Sequence, residues 1–169
     1  MTDVTAVTRI DLDHYLGRWY EICRLPLKYE DEAATDITAN YSLNGAGKVR
    51  VDNRCFNAEG KPTQAIGEAR PVDDANSRLK VSFLPAGLRW LPFTEGDYWV
   101  LKINPEYTTA LVGTPDRRYL WVLSRTPSLP LQTLQEYLAE AKAQKFDLTN
   151  LITPVHTGRE ITDDMLAAE

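Results

Sequence analysis

Apolar and polar residues alternate along this chain in short runs, eight of them in succession before a helical spacing takes over. Ile37, Ala39, Tyr41 and Leu43 oppose Asp36, Thr38, Asn40 and Ser42, which predicts a strand over 36–44. Beyond Gly45-Ala46-Gly47, Val49, Val51, Asn53 and Cys55 oppose Arg50, Asp52, Arg54 and Phe56. Ala65, Gly67 and Ala69 share one side of a strand over 64–71, and Leu79, Val81 and Phe83 one side of the next. Such a period of two places one set of side chains on each face of a sheet. An earlier strand over 18–26 stops at Pro26, and later ones over 97–104, 107–113 and 118–125 are apolar on both faces.

Strands apolar on both faces need cover on their outer side. A helix over 129–146 supplies it, with Leu131, Leu134, Leu138 and Ala141 at helical spacing behind a Ser128 cap. A helical turn at 11–16, capped by Asp11 and ended by Gly17, precedes the strands. A short strand at 147–152 and a loose tail at 157–169 follow the helix. Connections between successive strands are short, so neighbours pair antiparallel as a meander. Left open, that sheet would expose two edges; closing it removes both. The fold class is therefore all-β: an eight-stranded antiparallel up-and-down β-barrel with a C-terminal α-helix packed outside. One domain spans 1–169, with the barrel over about 17–126. Eight strands enclose room for one small ligand and are too few for a channel.

With the apolar face inward, Ile37, Ala39, Tyr41, Val51, Asn53, Val81 and Phe83 enter the lumen from the earlier strands. Tyr98, Val100, Leu111, Tyr119 and Trp121 enter it from the later ones. Ala39, Ala65, Gly67, Ala69 and Gly113 take up little of that volume. A mainly apolar pocket with a few polar groups is the usual small-molecule site. The competing reading is a barrel filled solid by its own side chains. Leu88, Trp90, Leu91 and Phe93 favour a mouth, because they crowd one loop at the same end as segment 27–35. Arg89 beside Trp90 is the candidate contact for a phosphate or carboxylate, against a plain solvated Arg. Tyr41, Asn53, Tyr98 and Tyr119 are candidates for hydrogen bonds inside the lumen.

Charge narrows the partners. The formal net charge of −5 argues against nucleic acid and against a polybasic hold on anionic lipid. Met1-Thr2-Asp3-Val4-Thr5 has no basic region or apolar run of a signal peptide, so the chain as written reads as cytoplasmic, a trimmed leader being the alternative. Cys23 and Cys55 fall on the first and third strands, too far apart for a disulfide, and read as free thiols. Both have the parity to face the lumen, yet no His stands by to make a thiolate, and burial raises a thiol pKa. His14 and His156 lack neighbours at ligand spacing, so no metal or cofactor is expected.

Leu16-Gly17-Arg18-Trp19-Tyr20-Glu21-Ile22 resembles the G-x-W signature that opens the lipocalins. Gly96-Asp97-Tyr98-Trp99-Val100-Leu101 stands where the second motif of that family lies. The stretch from Tyr119 through Arg125 to Pro127 resembles the third, with its closing Arg before the helix. The resemblance covers about 11–152 and is to the bacterial outer-membrane lipocalins and the apolipoprotein D-like group, in Asp116–Trp121 and Leu79–Phe83. It implies that Gly17, Trp19 and Arg125 are structural, with Trp19 across a closed base and Arg125 over its indole. It further implies carriage or storage of fatty acids, lysophospholipids or related amphiphiles, often beside a membrane, and the periplasm or outer membrane if a leader was trimmed. The bacterial members' lipoprotein leader and acylated Cys are not matched here.

The reading that results is a non-enzymatic protein that binds a small hydrophobic or amphiphilic ligand in its lumen. One alternative is an interaction or dimerisation module working through the apolar 85–95 loop, which would make a homodimer. The other is a Cys-dependent isomerase.

Overall fold

The Asp11 carboxylate accepts the Asp13 amide at 3.1 Å and so caps α1 (Leu12–Tyr15). Gly17, at φ +102°, turns the chain out of that helix and into β1 (Gly17–Arg24). A Cβ there would be both strained and 3.3 Å from Nη1 of Arg125, which is why a glycine stands at this position. This is a computed structural model, and it describes residues 2–27, 32–45, 47–83 and 95–168.

After β1 come β2 (Thr35–Leu43), β3 (Val49–Phe56), β4 (Pro62–Pro71), β5 (Arg78–Ser82), β6 (Gly96–Ile103), β7 (Thr109–Gly113) and β8 (Leu120–Ser124). Each pairs with its predecessor, and β8 returns antiparallel to β1, so the barrel closes in sequence order. Gly17 opposite Tyr41 places the start of β1 beside the β2–β3 turn, at the end where α1 lies. That end is the base. The β1–β2, β3–β4, β5–β6 and β7–β8 connections lie at the other end, the mouth.

Two apolar clusters share the sheet. The first fills the base of the barrel with Trp19, Tyr41, Val49, Ala69, Leu79, Val100, Ala110 and Leu123. The second lies outside, where α2 (Leu131–Ala143) lays Tyr137 and Ala141 against Ile22, Leu101, Leu111, Leu120 and Val122. The strands with two apolar faces are thus covered as their composition requires.

Three register shifts separate this barrel from a strict alternation. One lies between Glu21 and Cys23, one between Thr35 and Thr38, and one between Val100 and Lys102. A bulge inserts a residue and reverses the facing of everything after it. Cys23 therefore pairs with Val122 and packs under α2 rather than in the lumen, while Arg24 pairs with Trp121 and turns inward. Leu111, expected inside, pairs with Lys102 and Val122 and belongs to the outer cluster. Gly113 is corrected likewise: a Cβ on it would meet Phe146 at 2.8 Å and Leu101 at 2.9 Å, both outside the barrel.

The helix starts at Leu131 with Pro130 in the cap position and no side-chain cap, so Ser128 does not serve. Its φ of −55° suits an entering proline. Instead of a strand over 147–152, a single bridge joins Ile152 to Arg24. The tail is not loose. The Thr157 amide and hydroxyl donate to the Asp36 carboxylate at 2.6 and 2.8 Å, and Arg159 lies 3.9 Å over the Phe56 ring. Ile161 is buried, and α3 (Asp163–Ala167), capped by Thr162, contacts β4. Arg54 ties the strap down by donating to the Ile161 carbonyl at 3.0 Å and to Asp163 at 2.6 Å.

Candidate functional site

The base of the barrel is sealed by its own side chains. Trp19 is fully buried, donates its indole N–H to the Tyr15 carbonyl at 2.8 Å and lies under the Arg125 guanidinium at 3.8 Å. Arg125 also donates to the carbonyls of Tyr107, Arg18, His14 and Tyr15 at 3.1, 2.8, 2.8 and 3.2 Å. One fork thereby joins the end of β8 to α1, β1 and the β6–β7 turn. Partial burial lowers the pKa of that guanidinium from its usual value.

Beside Trp19 three tyrosine hydroxyls form a row. Tyr98 donates to Tyr41 at 2.9 Å, and Tyr15 and Tyr98 share a bond of 2.6 Å. Since Tyr98 has one proton and gives it to Tyr41, Tyr15 is the donor in the second bond. Tyr41 accepts and keeps its own proton. Burial pushes the Tyr41 hydroxyl up to about 12 and holds Tyr15 and Tyr98 well above the usual range, so all three stay protonated.

Towards the mouth the interior opens. Asn53 stands between Ala39 and Ala65 on one inner row of β2, β3 and β4. Ala39, Asn53, Val81, Tyr98 and Trp121 all point inward yet keep accessible surface, and Ala65 is exposed. In a closed barrel an inward side chain keeps surface only where space remains beside it. Trp19, in register with Ala39, is buried, and so are Val49, Ala69 and Leu79 nearer the base. The barrel is packed at its base and open above.

The interior is not uniformly apolar. Arg24, fully buried, donates to the Glu21 carboxylate at 2.9 Å. The partners' charges offset each other, which lets an ion pair stand buried inside the barrel. The Glu21 carbonyl is in turn bonded to His156 Nε2 at 2.7 Å. Tyr119 lies beside Trp121, ring centroids 6.4 Å apart, near the mouth. Phe83 is half exposed and lies over Gly67, where a Cβ would sit 2.8 Å from its ring.

Of the residues expected in the lumen, Ala39, Tyr41, Val51, Val81, Tyr98, Val100 and Trp121 belong to or pack on the inner cluster. Ile37 is buried on the same strand. Leu111 is outside, as described above, and Arg89 and Trp90 lie outside the described residues. Tyr15 and Arg24 went unread in the sequence. Tyr15 sits on a helical turn that carries no strand alternation, and Arg24 faces inward only because of the bulge before it.

The two cysteines differ in placement: Cys55 is half-buried with its Sγ 3.1 Å from the Thr63 hydroxyl, whereas Cys23 is withdrawn. Burial, helped by the neighbouring Glu21 charge, pushes the Cys23 thiol up to about 12, and it lies beneath α2 away from the lumen. No cluster of three or more His, Cys, Asp or Glu side chains that could hold a metal occurs among the described residues. No described helix is long and apolar enough to cross a membrane.

A closed eight-stranded barrel, sealed at one end and open inside towards the other, defines a small-ligand-binding β-barrel protein. Residues 10–156 match the lipocalin-like domain. The chain is 36% identical over 152 residues to temperature-induced lipocalin-1 of Arabidopsis thaliana, covering 88% of this chain and 81% of that one. It is 40% identical over 151 residues to the outer membrane lipoprotein Blc of Escherichia coli K12, with the same coverage of 88% and 81%. The solved structure of insecticyanin from the tobacco hornworm Manduca sexta superposes with a TM-score of 0.70 at 21% identity, covering 97% of this chain and 87% of that one. The chain belongs to the lipocalin family, whose members bind small hydrophobic ligands.

Proposed function

We propose that this protein carries or stores amphiphilic lipids, fatty acids or lysophospholipids, with the apolar tail in the upper barrel and the polar end towards the mouth. The observation that carries the reading is the accessible inner row of Ala39, Asn53 and Ala65 above a sealed base. Ala39, Val81, Val100 and Trp121 offer the tail an apolar wall, and Tyr119 and Phe83 border the way in. Arg89 and Trp90 complete the proposed set as contacts for the polar end. The withdrawal of Cys23 beneath α2, away from the lumen, supports carriage rather than turnover.

The likeness to an outer membrane lipoprotein supports a place in the periplasm or at the outer membrane, beside the lipid that would be carried. Native mass spectrometry of gently purified protein tests the function. The expected spectrum contains protein plus one amphiphile, released when the complex is activated. A spectrum of bare protein, together with failure of oleate or lysophosphatidylcholine to displace a fluorescent fatty acid, overturns the reading.

A further inference from the structure

Oδ1 of Asn53 is buried and accepts no hydrogen bond among the described residues. Its neighbours across both strand pairs are the methyl groups of Ala39 and Ala65, which cannot bond to it and which themselves keep accessible surface. One row nearer the base, Tyr41 accepts a bond from Tyr98 and keeps a proton that the tyrosine row does not use. Buried polar atoms are nearly always paired, with protein, water or a ligand. A plain hydrocarbon chain lying along this row would offer the carboxamide no partner and leave it bare.

We propose that the lumen prefers acyl chains carrying a hydroxyl group to plain ones, the hydroxyl docking on the carboxamide of Asn53 between Ala39 and Ala65. A hydroxyl both donates and accepts, so it satisfies the carboxamide whichever way the amide is turned. A mid-chain ketone only accepts and serves one orientation. The inference rests on the reading of the lumen as a lipid site and adds a polar group to the chain rather than to its head. The preference depends on depth, because the carboxamide sits at one level of the wall. A hydroxyl at the wrong carbon brings a polar group against Val51 or Val81 instead.

The test displaces a dansyl-labelled fatty acid from the full chain with stearate and with stearates hydroxylated at successive carbons. One hydroxylated isomer is expected to bind about ten-fold more tightly than stearate, the worth of one buried hydrogen bond. In Asn53→Leu that ratio falls to about one. Asn53→Ser, which keeps a hydroxyl at the site, serves as a second variant if the leucine protein does not fold, and retains part of the preference. Equal affinity for stearate and every hydroxylated isomer, in the unaltered protein, overturns the proposal while leaving lipid carriage intact. Failure of stearate and all isomers to displace the probe overturns both.

Discussion

Arg125 sets its guanidinium on one buried indole and donates to four backbone carbonyls from three separate segments. A lysine keeps the charge but lacks the planar fork, so it can neither cover the ring nor reach the carbonyls together. Arg125→Lys is expected to lower stability by about 3 kcal/mol, from lost charged hydrogen bonds and cation–π contact. Urea unfolding reads it as a lower midpoint with unchanged slope. The row of buried hydroxyls bears on pH. In the native state Tyr41 and Cys23 are held up to about 12, and Tyr15 and Tyr98 well above the usual tyrosine range. Unfolded, the thiol and phenols release their protons first, from about pH 8.5 and pH 10 respectively. Over that window the unfolded chain binds fewer protons than the native one, so stability falls as pH rises. Each such group steepens the fall by up to about 1.4 kcal/mol per pH unit. Urea midpoints measured from pH 8 to pH 11 check this: the expected curve is flat at first and then drops steeply, and a level curve contradicts the burial described.

The outer face of β3 and β4 depends on a strap that has no regular structure until α3. Asp52, nearly buried on that face, accepts from both Nε and Nη2 of Arg54 at 3.1 Å and from the Gln64 amide at 3.1 and 3.2 Å. These bonds outweigh burial and hold its carboxyl below the usual range. Arg54 thus couples a strand carboxylate to the strap. Arg54→Ala is expected to release residues 157–169 to carboxypeptidase while the barrel resists, and to cost about 2 kcal/mol because Asp52 loses its main partner. Under α2 the tolerance is for volume: Gly113→Ala is expected to destabilise by about 1–3 kcal/mol, since the new methyl meets Phe146 and Leu101. Calorimetric melting would show it. Both positions mark where the sequence was hard to read. The alternation of β2 to β5 was legible because polar and apolar residues separate cleanly there. β1 was harder, since a bulge adds one residue without any composition of its own, and the facing of Cys23 and Arg24 followed from it. β7 is apolar on both faces, so its pattern did not say that Ala110 and Val112 turn inward while Leu111 and Gly113 turn outward. The strap was illegible for a different reason: its buried apolar anchor, Ile161, is a single residue in a polar stretch.

On the scale of the whole molecule, stability and binding draw on different parts of one tube. Closure leaves no unpaired sheet edge, and the lower interior and the outer helix together hold the apolar mass. The upper interior contributes less to that mass because its inner row is built from Ala39, Asn53 and Ala65. A substitution that fills this space should therefore separate the two properties. Ala39 lies between Trp19 on β1 and Asn53 on β3, on the inner wall and partly accessible. Since Ala39 keeps accessible surface on that wall, an indole there is expected to take up ligand volume without opening a cavity in the core. Ala39→Trp is expected to keep its melting temperature within a few degrees and to lose at least ten-fold in affinity for a fluorescent fatty acid. Parallel thermal unfolding and fluorescence titration decide it. Were the upper barrel already packed, the same change would overpack a core and cost about 1–3 kcal/mol. A variant that melts much lower would thus place side chains where an open lumen is described, and a variant that binds as well as the parent would place the ligand elsewhere.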